Sequence, residues 1–149
     1  MNYVLKCSAI LAIATGISGC ATPPGKLKPE DMDHAKFTVN QPIATVIERL
    51  QEADRNCGGL IAEWAPTWYP SLSSDKYKID LFLKGLAGEK QSWVAGTIDL
   101  TKLNTSQTVM ALAVQKIYSR PLFRKSNWWQ DKVDSMVSDI NQNRPIACK

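Results

Sequence analysis

Few residues in this chain of 149 could do chemistry, and their spacing narrows what that chemistry could be. A hydrolytic triad or a Cys–His pair needs a histidine beside its nucleophile. The single histidine, His34, sits in a polar, proline-containing stretch ahead of the body. Paired carboxylates are the remaining route to acid–base work. Asp80 and Asp99 fall on two successive strand-like segments and could meet across them, while Glu48 and Glu52 lie one helical turn apart. Opposed aspartates on an exposed sheet face, like glutamates on the polar side of an amphipathic helix, are ordinarily solvated surface. No glycine-rich phosphate cradle occurs, since Gly58-Gly59 reads as a helix stop. The expectation is a protein that is not an enzyme and holds neither cofactor nor metal.

Cysteines are the other reactive residues, and there are four. The first lies in an apolar run, Cys7 to Ile17, of 11 residues preceded by one positive side chain, Lys6. A membrane-spanning helix needs roughly 20 residues, so a short positive start and a short apolar run describe an export signal. The run ends in Ile17, Ser18, Gly19 and Cys20, which is apolar, small, small, cysteine. This order resembles the lipobox of bacterial lipoproteins. The resemblance implies a diacylglyceryl group on the Cys20 sulfur, cleavage before Cys20, and acylation of the new amine. An ordinary export signal with a chance cysteine is the competing reading. Each buried methylene contributes about 0.8 kcal/mol and one chain holds only marginally, so two or three chains would make a durable anchor. Ala21 follows the cysteine where inner-membrane lipoproteins carry aspartate, which implies an outer-membrane protein facing the periplasm.

Cleavage before Cys20 would remove 19 residues and leave 130, enough for one domain. Losing Lys6 leaves 17 basic against 14 acidic side chains, a net +3. That mild excess is no nucleic-acid footprint, which needs a basic stripe and a higher charge. Cys57 and Cys148 remain, and two leftover cysteines in a small exported domain usually pair. A metal site or a redox pair are the alternatives, but no CxxC spacing occurs. Closing such a loop would stabilise the body by roughly 4 kcal/mol in the chain-entropy model.

The elements that must position these residues follow from periodicity. Residues 20–35, with three prolines and mostly polar neighbours, read as a tether. The folded body is expected over 36–149. KFTV alternates, with Phe37 and Val39 on one face, and Asn40 is placed to cap a helix whose first turn tolerates Pro42. Ile43, Val46, Ile47, Leu50, Ala53 and Cys57 then recur at helical spacing up to Gly58. LIAEW is a candidate strand and PTWYPSLSS a loop. YKIDLFL, QSWVAGTIDL and QTVMALAVQKI alternate as three strands with polar turns. From about Ser126, Trp129, Val133, Met136, Val137 and Ile140 mark a second helix. The order predicts an α+β domain, an antiparallel meander of about four strands with both helices on one face. That element order is similar to the helix-grip folds of some envelope lipoproteins.

Two aromatic stretches are candidates for binding. EWAPTWYP carries Trp64, Trp68 and Tyr69, and RPLFRKSNWWQ carries Arg120 and Arg124 beside Trp128. Tryptophan, tyrosine and arginine are enriched at interface hot spots because they join large area to polar handles. Rings that merely cover the core ends are the plainer alternative, and Trp129 matches the apolar stripe of its helix. The expectation is a lipid-anchored envelope protein that docks a protein partner. The alternative is a binder of a small apolar ligand or lipid held between sheet and helices.

Overall fold

The structure, a computed structural model, describes residues 28–61, 64–69, 73–84, 90–116 and 128–148, with residues 84 and 90–93 described through their backbone alone. Among the described residues the fold is α+β: a five-stranded antiparallel sheet and two helices. The strands are β1 (Met32–Val39), β2 (Ala65–Trp68), β3 (Lys76–Lys84), β4 (Lys90–Lys102) and β5 (Thr108–Gln115). The helices are α1 (Ile43–Cys57) and α2 (Trp128–Asn141). Strands β2 to β5 form a meander, and β1 adds to its far edge, giving the order β1-β5-β4-β3-β2.

Alternation decides which sheet face is buried. Tyr77↔Leu100↔Met110↔Phe37 and Ile79↔Ile98↔Leu112↔Ala35 run as rows across four strands on one face. Val46, Leu50, Trp129, Val133, Met136 and Ile140 from both helices join these rows in one apolar cluster. Helix α1 ends where the sequence stops favouring it. Gly58 takes the left-handed conformation at φ 68°, and its amide donates to the Asp54 carbonyl at 2.9 Å.

The β3–β4 register shifts twice, and the first shift is a bulge in β4. Leu81 pairs with Gly96 and Phe82 with Val94, so Ala95 is an extra residue, a bulge. This is why the neighbours Val94 and Ala95 are both buried. The β4–β5 pairing stops at Gly96↔Val114, and there the Gln115 side chain donates to the Val94 carbonyl. A side chain thus satisfies a backbone group left by the ladder. Gly96 must be glycine for a steric reason, since a Cβ there would lie 2.7 Å from the Ala113 carbonyl oxygen.

Three boundaries differ from the sequence expectation. The tether does not extend to residue 35: a 3-10 turn spans Pro29–Asp31, and β1 pairs with β5 from Met32↔Gln115 onward. Lys116 Nζ donates to the Glu30 carbonyl at 2.6 Å, further tying this segment down. Its polar composition misleads because an edge strand can keep one side wet. The second strand is Ala65–Trp68, not LIAEW. Leu60 and Trp64 close a turn instead, through Leu60 N–H to Trp64 O at 3.3 Å and Trp64 N–H to Ile61 O at 3.1 Å. Pro66 is accommodated because β2 lies at the sheet edge.

The third difference concerns Asn40, which does not cap α1; Pro42 occupies that position without a side-chain cap. Asn40 instead joins three chain segments. Its amide donates to Asn141 Oδ1 at 2.7 Å, and its Oδ1 accepts from Gln107 Nε2 at 2.9 Å. Arg49 extends the same polar end by donating to Asn143 Oδ1 at 2.8 Å.

Candidate functional site

The aromatic residues gather where β2 meets the end of α1. Strand β2 turns Trp68 to the helix side, opposite Ile79. Its indole Nε1–H donates to Asp54 Oδ2 at 3.4 Å, and its ring lies 6.3 Å from Tyr77 at 56°. Trp68 is half-buried, so one part of the ring packs and another remains accessible. The next residue, Tyr69, is 42% exposed. Its amide donates to the Lys78 carbonyl at 3.4 Å, prolonging the pairing with β3.

Trp64 is a correction to the docking set. It is 5% exposed and belongs to the core, so it offers no face to a partner. Its ring makes an edge-to-face contact with Trp128, with centroids 5.7 Å apart at 81°. Trp128 is half-buried at the start of α2, while Trp129 is 1% exposed, on the apolar stripe as its spacing predicts. Trp64 thus links the segment just before β2 to the start of α2, while Trp68 lies on the helix side of β2 and the Tyr69 phenol on the opposite side, beside Asp80. Arg120 and Arg124 lie outside the described residues, as does Cys20.

The carboxylates take a different arrangement from a catalytic pair. Lys78 is directly opposite Asp99, and Asp80 is opposite Thr97, so the two aspartates are diagonal neighbours on the sheet face away from the helices. Lys78 Nζ stands 3.5 Å from Asp80 Oδ1. Lys78 is thus placed next to both aspartates, ion-paired to Asp80 and opposite Asp99 in the ladder. Asp99 is exposed; Asp80 is mostly covered, and its Oδ1 is buried with no hydrogen bond among the described residues. Beside it, the Tyr69 phenol titrates above its ordinary value, first through burial and then through the charge and hydrogen bond of Asp80; Lys78 pulls the other way. Glu52 is ion-paired to Arg49 at 3.0 Å, and Glu48 is exposed.

His34 projects from edge strand β1, with Nε2 3.4 Å from the Pro29 carbonyl oxygen. Among the described residues no three His, Cys, Asp or Glu side chains are grouped to hold a metal ion, and no helix is long and apolar enough to cross a membrane. Cys57, the last residue of α1, is joined to Cys148, with Cα atoms 5.1 Å apart.

Sequence reasoning missed two polar contacts at this end of the fold. Asp54 to Trp68 joins residues 14 apart across a turn, which no local pattern announces. Asp139 had a visible sign: it is an acidic residue beside the stripe of Met136, Val137 and Ile140, yet it is buried.

No protein-family model matches the chain, and no curated protein matches its sequence. Among solved structures, the Zhui aromatase/cyclase from Streptomyces sp. R1128 matches at 14% identity, over 75% of this chain and 90% of that one, with a TM-score of 0.26. At that score the likeness says nothing of what this chain binds or does.

Proposed function

We propose that the chain is a lipid-anchored, non-catalytic cell-envelope protein whose folded body docks a protein partner on the periplasmic side of the outer membrane. The anchor is Cys20, supported by the lipobox resemblance of residues 17–20. The observation that carries the docking role is that Trp68 and Trp128 keep ring area accessible while Asp54, Tyr77 and Trp64 hold them in place, with the exposed Tyr69 following Trp68 at the sheet edge. Rings held this way lose little freedom on binding, which favours them as contact points. Arg120 and Arg124 remain partner-binding candidates by sequence alone.

A non-catalytic role is supported by Lys78 standing against Asp80 and opposite Asp99, and by the place of the sole histidine on a sheet edge. The layer between sheet and helices is occupied by Leu50, Ile98, Met110, Leu112 and Trp129, each almost wholly buried. This favours docking at the edge over a ligand held inside.

Two experiments test the reading. Cys20→Ala should abolish lipid labelling and leave unprocessed precursor in cells; normal labelling of that variant removes the anchor. Photo-crosslinking from Tyr69 in intact cells should give a discrete adduct with another envelope protein, weakened by Trp68→Ala and Trp128→Ala. An unchanged adduct in both variants discards this surface. A stoichiometric apolar ligand retained by the delipidated protein in native mass spectrometry would replace docking with ligand binding.

A further inference from the structure

Asp139 is an acidic side chain only 8% exposed, set on α2 among Met136, Val137 and Ile140. Among the described residues, its partners outside α2 come from the C-terminal segment. Arg144 Nη2 donates to Oδ1 at 2.9 Å, the Ala147 amide donates to Oδ2 at 3.2 Å, and the Arg144 amide donates to the Asp139 carbonyl at 2.8 Å. Ile146 packs against the core between these attachments. The next residue after Ala147 is Cys148, bonded to Cys57 at the end of α1. One carboxylate thus grips the segment on both sides of Ile146, immediately before the cysteine.

We propose that Asp139 is a positioning residue for the Cys57–Cys148 bond, seating the segment that carries Cys148 before the thiols are oxidised. A carboxylate that accepts from a guanidinium and an amide makes stronger hydrogen bonds than neutral partners do. With the clasp closed, the Cys148 thiol meets Cys57 as a fixed neighbour. With it open, the thiol lies at the end of a segment seven residues beyond α2, and bond formation must also order that segment. Oxidation takes two electrons and two protons from the two thiols. Glutathione disulfide can accept them, becoming two molecules of glutathione. This inference does not depend on the docking role.

The test is a redox titration of the full-length protein in glutathione and glutathione disulfide buffers. Samples are quenched in acid and alkylated, and the peptide linking Cys57 to Cys148 is quantified by mass spectrometry. Asp139→Ala should lower the equilibrium constant for bond formation about 10- to 100-fold, which is about 30–60 mV toward a more oxidising potential. Arg144→Ala removes one arm only and should lower it about 3- to 10-fold. A stability loss shared equally by oxidised and reduced protein leaves this potential unmoved, so the potential separates positioning from general support. Values within twofold of the wild type for both variants overturn the proposal. If Asp139→Ala does not fold, Arg144→Ala decides alone by the same criterion.

Discussion

Replacing Cys57 and Cys148 together by serine tests how much of the stability rests on one covalent link. The bond spans a sequence separation of 91 residues, so it constrains most of the body in the unfolded state. The chain-entropy relation for a loop of that length gives about 4.6 kcal/mol at 25 °C. Unfolding entropy near 60 °C is about 2.1 cal/mol/K per residue, or about 0.25 kcal/mol/K for a body of about 120 residues. Dividing one by the other predicts a fall in Tm of about 18 °C. Neither cysteine is fully buried, so serine introduces no buried unpaired hydroxyl to confuse the result. Circular dichroism melts of wild type and double variant, each with and without reductant, measure the effect. Reductant should bring the wild type down to the variant and leave the variant unmoved. A drop below about 5 °C would refute the reasoning, because it would mean that the unfolded chain is scarcely restrained by the link.

Three further perturbations have defined outcomes. Gly96→Ala drives a Cβ against the Ala113 carbonyl oxygen and should destabilise the protein by about 1–3 kcal/mol in urea titrations, with an unchanged m-value; a cost under about 0.5 kcal/mol would mean the strands part freely. Trp129→Ala should cost about 3–5 kcal/mol, and the half-buried Trp128 distinctly less; equal costs would contradict their assigned burial. Raising the Tyr69 phenol above its ordinary value of 10.0 means the neutral form is favoured in the fold, so its contribution is intact below pH 10.0 and lost as pH rises through the folded value. Ring-carbon NMR should place the Tyr69 midpoint above 10.0, and Asp80→Asn should lower it; an unchanged midpoint in that variant removes Asp80 as a cause.

Local pattern was enough where burial and periodicity agree. The stripe of α1, its glycine stop, three of the five strands, and the stripe of α2 around Trp129 are all legible in the order of residues. Each depends on contacts repeating every two or every three to four positions, and such repeats are printed in the chain. The pairing of β1 with β5 ahead of residue 36, and the edge strand through Pro66, were not legible. An edge strand has one side wet and no need for a sustained apolar run, so its composition mimics a loop. The candidate surface was half legible: its aromatic types stood out, but whether Trp64 or Trp68 faced solvent depended on the turn at Leu60–Trp64.

What the sequence determined by itself was the class of architecture and the core stripes. Tertiary structure alone decided which polar groups meet. Asn40 reaches Asn141 across 101 residues, Arg49 reaches Asn143 across 94, and Lys78 stands opposite Asp99 and beside Asp80. Hydrophobic burial is non-directional and tolerates any neighbour of suitable size, so it leaves a periodic trace along the chain. A hydrogen bond needs one partner at one distance and angle, and that partner is chosen by the packing of distant segments.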